Sequence, residues 1–163
     1  MDKDLLQSFC SKHEETKLNY PFIMGEWACA TNGHIAIRVP LNTIEGVTRE
    51  APIKNTLQWQ PDQDGEWVNL PSYELPDKKI CSICGTGGKY TCLECYGEGY
   101  HYPIEYLKVE FDGHGINSSL LEKIKDLPGV KLFSRRDDNE QYYFKFDGGH
   151  GTIIGLRMYT RYI

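Results

Sequence analysis

The chain reads as an α+β domain interrupted by a small cysteine-rich insert. Three observations predict this. Two stretches carry apolar residues at helical spacing, several others alternate apolar with polar residues, and four cysteines stand as two Cys-x-x-Cys pairs in one Gly-rich run. The length of 163 residues suits one ordinary domain, or one domain plus an insert. Apolar residues at 40% suffice for a packed core, and a net charge of −5 argues against a surface coated in positive charge while leaving room for a local basic face.

The first element is a helix over residues 2–14. Asp2 or Asp4 caps its start, and Leu5, Leu6, Phe9, Cys10 and His13 share one face. Two strands follow, over 20–31 and 34–39, joined by Asn32-Gly33, a pair that accepts the positive φ of a hairpin turn. In the second strand Ile35, Ile37 and Val39 alternate with His34, Ala36 and Arg38, which leaves one apolar face. Cys10 and Cys29 fall within apolar patterns and read as core thiols.

From residue 49 the texture changes. Prolines recur at 52, 61, 71, 76 and 103, and residues 49–103 are expected to form an insert held by metal rather than by a core of their own. Its first part, TLQWQPDQDGEWVNLP, predicts a hairpin around Asp64-Gly65 with Trp59 and Trp67 on its arms. Asp62, Asp64 and Glu66 alternate in the manner of calcium ligands but lack the other positions of such a loop, and they read as a solvated turn.

The rest of the domain resumes with a strand over 104–111 and a helix over 118–127. Ser119 and Glu122 stand at capping-box spacing, Leu120, Leu121, Ile124 and Leu127 make the apolar stripe, and Pro128-Gly129 ends it. Three closing strands are expected over 130–134, 141–147 and 152–159. The domain is thus discontinuous, residues 1–48 and 104–163, with two similar halves of a helix plus strands.

Within CSICGTGGKYTCLECYGEG, the pairs Cys81/Cys84 and Cys92/Cys95 offer four thiolates around a short spacer, which is what a tetrahedral Zn²⁺ requires. Four sulfur ligands close the coordination shell, so the expected role is structural. The alternatives are two disulfides or a redox pair. No secretory pattern opens MDKDLLQSFC, and a redox Cys-x-x-Cys ordinarily occurs once, at a helix start. The thiols point to a reducing compartment, hence the cytoplasm. His101, six residues after Cys95, is a minor alternative ligand.

His34, His114 and His150 each adjoin glycine, but no nucleophile or acidic orienter stands at an interpretable spacing, so no enzyme is expected. Trp59, Trp67, Tyr96 and Tyr100 make the insert aromatic, which suits either packing around the metal or contact with a protein partner. No stretch is long and apolar enough to cross a membrane as a helix.

Two resemblances follow from these residues. CLECYGEG, residues 92–99, resembles the repeat of the DnaJ-type cysteine-rich zinc domain, whereas CSICGTGG departs from it at Thr86. That implies a zinc-bound pair of hairpins and, as a second functional class, a zinc-dependent protein-binding adaptor. ACATNGHIAIRVP, residues 28–40, resembles the ATDGHRLA-type hairpin of the bacterial DNA polymerase sliding clamp, with Asn32 in place of Asp. The segment 116–159 is similar to the second half of such a domain, and the likeness covers about two thirds of the chain.

The clamp resemblance implies two helices on one face of a curved antiparallel sheet and a non-enzymatic role in or on DNA replication or repair, in a bacterium or bacteriophage. In that family several domains close into a ring whose helices line duplex DNA. A single domain here implies self-association or another partner. Lys3, Lys12, Lys123 and Lys125 are then the candidate DNA-facing cations, interleaved with acidic residues.

Overall fold

The computed structural model describes residues 2–12, 17–52, 58–75, 77–87, 99–101, 108–138 and 140–154. It is α+β. Its main body is a seven-stranded antiparallel sheet, and short helices lie against one face.

Period-two alternation builds the sheet. Strands β1 (Phe22–Met24), β2 (Trp27–Thr31) and β3 (Ile35–Pro40) form one meander. Ala28, Ala30, Ile35, Ile37 and Val39 join the main core, whereas Phe22, Cys29 and Ala36 form a smaller cluster on the opposite face. The hairpin expected at Asn32-Gly33 is present. Gly33 takes φ +92°, and the Asn32 side chain holds the turn by accepting from the backbone N–H of His34 and Ile35. Asn32 itself keeps a negative φ, so only the glycine uses the left-handed region.

A second meander follows later in the chain. It consists of β9 (Lys131–Phe133), β10 (Gln141–Phe146) and β11 (Gly149–Ile154). β3 and β11 pair antiparallel, with Ile35 opposite Ile153 and Arg38 opposite His150, and this seam joins the two meanders. β4 (Trp67–Val68) adds an outer strand beside β9, giving the order β1-β2-β3-β11-β10-β9-β4.

Each meander is preceded by a helix. α1 (Lys3–Gln7) is capped by Asp2, whose carboxylate accepts from the Leu5 N–H at 2.9 Å. It is shorter than the 2–14 expected. Beyond Gln7 the chain turns, and Phe9 and Cys10 reach the core from that turn. α2 (Ser118–Ile124) buries Leu120, Leu121 and Ile124. Its cap is Asn117, which accepts from the Ser119 N–H and hydroxyl, and not the expected Ser119/Glu122 box. Leu6, Phe9, Leu120, Leu121 and Ile124 share one cluster with the inward residues of β2, β3, β10 and β11, so both helices cover the same sheet face.

A hairpin, β7 (Lys108–Phe111) and β8 (His114–Asn117), leads into α2. Its turn, Asp112-Gly113, has φ +51° and +73°, the pattern that Asp-Gly favours in two-residue hairpin loops. β8 is not among the strands that the sequence pattern predicts, and His114 stands at its start.

Two glycines decide how β11 packs. Gly149 stands opposite Phe146 and Gly151 opposite Phe144. A Cβ on Gly151 would lie 2.2 Å from the Ala36 carbonyl oxygen and 2.3 Å from the Phe144 ring. The glycines in Gly-His-Gly therefore make room for two aromatic rings over the seam.

The stretch expected as an insert is partly built into this body. Residues 49–51 run beside β1 through a parallel bridge at Glu50. Trp59 then lies over the outer sheet face, Gln63 bonds to the Arg136 carbonyl, and Trp67 pairs with Phe133 at the far edge. Leu70 and Tyr73 continue onto the helix side, where the Tyr73 hydroxyl donates to Glu122. The hairpin expected around Asp64-Gly65 is thus absent among the described residues. Trp59 and Trp67 lie on a strap that crosses the sheet, Trp59 packed with Phe22, Cys29 and Ala36 and Trp67 against Phe133.

Candidate functional site

Two places on the molecule gather chemistry-bearing side chains. The first is the cysteine projection. β5 (Lys79–Ile80) and β6 (Tyr100–His101) pair, with Ile80 opposite Tyr100, and close its base. The Cys81 N–H donates to the Gly99 carbonyl, and the Gly85 N–H returns to the Cys81 carbonyl, each at 2.9 Å. Gly85 takes φ +58°, so the chain reverses immediately after Cys84. Cys81 is buried, and Cys84 packs against it.

Two thiols on one tight turn could supply two of the four ligands that a tetrahedral sulfur site needs. Gly99 takes φ +77°, and a Cβ there would lie 2.6 Å from the Thr86 carbonyl oxygen. The last glycine of CLECYGEG is therefore needed for the return strand to close against the knuckle. Cys92, Cys95 and Tyr96 lie outside the described residues. Among the described residues no group of three or more metal-ligating side chains comes together, so His101 does not complete a site with Cys81 and Cys84.

The second place is the outer face of the sheet. Arg38 and His150 are opposite one another at the β3–β11 seam, and Arg38 Nε donates to His150 Nε2 at 2.6 Å. The guanidinium carbon lies 4.2 Å from the Trp27 ring centroid and 4.9 Å from that of Trp59. Trp27 also meets His150 edge-on at 5.1 Å. Burial lowers the Arg38 pKa, and burial together with the Arg38 charge holds His150 down to about 4, so at neutral pH the imidazole is an uncharged acceptor.

The same row of the sheet continues through Lys145, opposite His150, and Lys131, opposite Lys145. Lys145 Nζ lies 4.8 Å above the Trp67 ring, and Lys131 bonds to the Asn69 side chain. Arg38 was legible from alternation only as an outward-facing residue. Its partners come from residues 59 and 150, which no local pattern connects to it.

The remaining predicted residues are dispersed. Lys3, Lys12, Lys123 and Lys125 are all exposed on or just after the helices. Lys123 donates to the Ser8 carbonyl at 3.2 Å and so ties α2 to the end of α1, while Lys125 pairs with Glu122. Trp59 is buried, Trp67 is half-buried against Phe133, and Tyr100 is exposed. His34 sits in the β2–β3 turn and His114 on β8, on different elements from His150. Burial pushes the Cys10 thiol to about 11 and the Cys29 thiol to about 12, as suits core residues. No helix among the described residues is long and apolar enough to cross a membrane.

Comparison with protein-family models, with curated proteins and with solved structures returned no match.

Proposed function

We propose that the chain is a non-enzymatic binding protein, a single sliding-clamp-type domain with a zinc-stapled projection, acting in or on DNA replication or repair in the cytoplasm of a bacterium or its phage. One observation carries this. The domain consists of two helix-plus-meander halves whose last strands, β3 and β11, pair with each other, while both helices cover one sheet face. ATNGH forms the β2–β3 hairpin of the first half, and FDGGHGTII forms the β10–β11 hairpin of the second. These are the two segments on which the resemblance to the clamp family rests.

Lys3, Lys12, Lys123 and Lys125 are the cations available to duplex DNA on the helix side. Lys12, Lys123 and Lys125 all have partners within the chain, so a single copy offers a weak basic lining, and self-association into a ring would multiply it. Cys81, Cys84, Cys92 and Cys95 would hold one Zn²⁺, which would supply the projection with the fixed geometry that the few buried residues of its described part do not.

Solution mass and metal content measured on the same sample test the proposal. A multimer with one zinc per chain that is retained on circular duplex DNA, and lost when that DNA is linearised, is the expected result. A monomer without retention would end the ring assignment.

A protein-binding adaptor is the second reading, and a specific observation favours it. Ile80, Ile83 and Tyr100 are 59%, 71% and 43% exposed, and all three lie on the described part of the projection. Capture of unfolded client proteins that is lost on chelation would support this role over the first.

A further inference from the structure

We infer that the outer face of the sheet, opposite the helices, is a binding strip for single-stranded nucleic acid, with Arg38 as its central phosphate ligand and Lys145 and Lys131 extending it. This inference is independent of the clamp-type assignment, which concerns the helix side.

The first ground is an uncompensated charge. Arg38 is half-buried between two indoles, yet its one hydrogen bond goes to a neutral imidazole. No carboxylate among the described residues pairs with it, and its Nη groups, which make no hydrogen bond to the described residues, are not among the buried unsatisfied atoms and so remain open to a ligand from solvent. A partly desolvated cation without a counter-ion costs stability, and so do the like charges of Lys145 and Lys131, directly opposite one another on adjacent strands. An anion laid over the row removes both costs.

The second ground lies beside it. The Nε1 of Trp59, a residue 6% exposed, is a buried donor with no partner. The Arg38 cluster thus presents unmatched donors only, which suits an acceptor-only group such as a phosphate. The third ground is the order of the row. Arg38, His150, Lys145 and Lys131 follow one another across β3, β11, β10 and β9, at strand intervals of about 4.8 Å.

Indoles interleave with the cations. Trp27 backs Arg38 and Trp67 backs Lys145, and both rings are half-buried rather than covered. Alternating cations and aromatic rings on a sheet face suit a strand whose bases are free to stack, which a duplex does not offer. The strap lies on the same face and supplies Trp59 and Trp67 to the strip. Gly65 lies against Phe133, and the Gln63 and Glu66 bonds anchor the strap near Ser134 and Arg136, while Lys145 stays exposed.

The test is a fluorescence-anisotropy titration of the intact zinc-loaded chain with an oligothymidylate of about 15 nucleotides. Expected are binding that weakens with salt, quenching of tryptophan emission, and a loss of about tenfold or more in Arg38→Gln. Lys145→Gln, at an exposed position that should not disturb folding, should lower the slope of log affinity against log salt by about 0.7. Lys3→Gln with Lys123→Gln should leave oligothymidylate affinity unchanged, which separates this strip from any duplex contact of the helix side. Tighter binding of a duplex of equal length overturns the inference. So does full displacement of the oligonucleotide by inorganic phosphate at an equal concentration of phosphate groups, or an unchanged salt slope in Lys145→Gln.

Discussion

The sheet body and the cysteine projection hold their backbones in different ways. In the sheet body, helices included, large side chains are fully buried: Phe9, Leu121, Ile124, Tyr142 and Phe144 are all at or below 1% exposure. In the described part of the projection the buried apolar cluster is a single cysteine, and its larger apolar residues face outward. A core of that size stabilises little, since burial contributes roughly 25 cal/mol per Å² of apolar surface. The lesson is that the two regions should respond oppositely to two insults. Loss of the proposed zinc should strike the projection alone, and loss of packing should strike the sheet.

The largest effect is therefore expected on chelation, or in Cys84→Ser. Structural zinc contributes on the order of 10 kcal/mol to the segment that it orders. Hydrogen exchange should show the amides of Cys81 and Gly85 losing protection, while those of β3, β10 and β11 keep theirs. A collapse of protection across the whole sheet would show that the projection and the body are one folding unit.

Gly151→Ala probes the other side. Its new Cβ would press on the Ala36 carbonyl and the Phe144 ring, and the first of these is backbone at the central seam. A loss of about 2–3 kcal/mol in denaturant midpoint analysis is expected, with zinc content unchanged. Little change would mean that β11 shifts freely and that the seam is softer than its register suggests.

A smaller effect follows from His150. Its pKa is about 4 in the fold against 6.5 for the free side chain, so the unfolded chain binds the proton more readily. The stability associated with neutral His150 is present above about pH 6.5 and is lost as pH falls toward 4. Because the ring is not fully enclosed, solvent screening reduces the effect to on the order of 1 kcal/mol. His34 shifts in the same direction through burial, so His150→Gln should flatten the thermal-denaturation profile between pH 4 and 6.5 without abolishing its slope. An unchanged profile would remove His150 as its source.

Legibility tracked the range of the interaction. The β2–β3 turn was readable because Asn32 and Gly33 act within a few residues, and the alternation of Ile35, Ile37 and Val39 gave the buried face directly. Cys81-x-x-Cys84-Gly85 was readable for the same reason, since its turn closes on itself. What escaped was long-range. Trp59 rests on the outer sheet face and Trp67 on β9, where an apparent local hairpin had placed them together. Gly149 and Gly151 stood in the sequence only as neighbours of a histidine, and they are explained by rings on the neighbouring strand. The Arg38–His150 pair joins positions 112 residues apart, and no period or motif in the sequence announces it.

The smallest prediction returns to the sheet body and asks how local its supports are. Asn117 ends β8 and caps α2, accepting from the Ser119 N–H at 2.9 Å and from its hydroxyl at 2.7 Å. Asn117→Ala should cost about 1 kcal/mol, the usual range for a lost cap. The capping-box alternative predicts that Ser119→Ala should be the costlier change. In the structure the Ser119 hydroxyl only adds a donor to Asn117, so Ser119→Ala should cost less than Asn117→Ala. Neither should alter zinc content or the protection of Cys81, because α2 supports the sheet from the face opposite the strap. A fall in metal content in Asn117→Ala would instead mean that the helix side and the projection are coupled, through the Tyr73 contact to Glu122 that joins them.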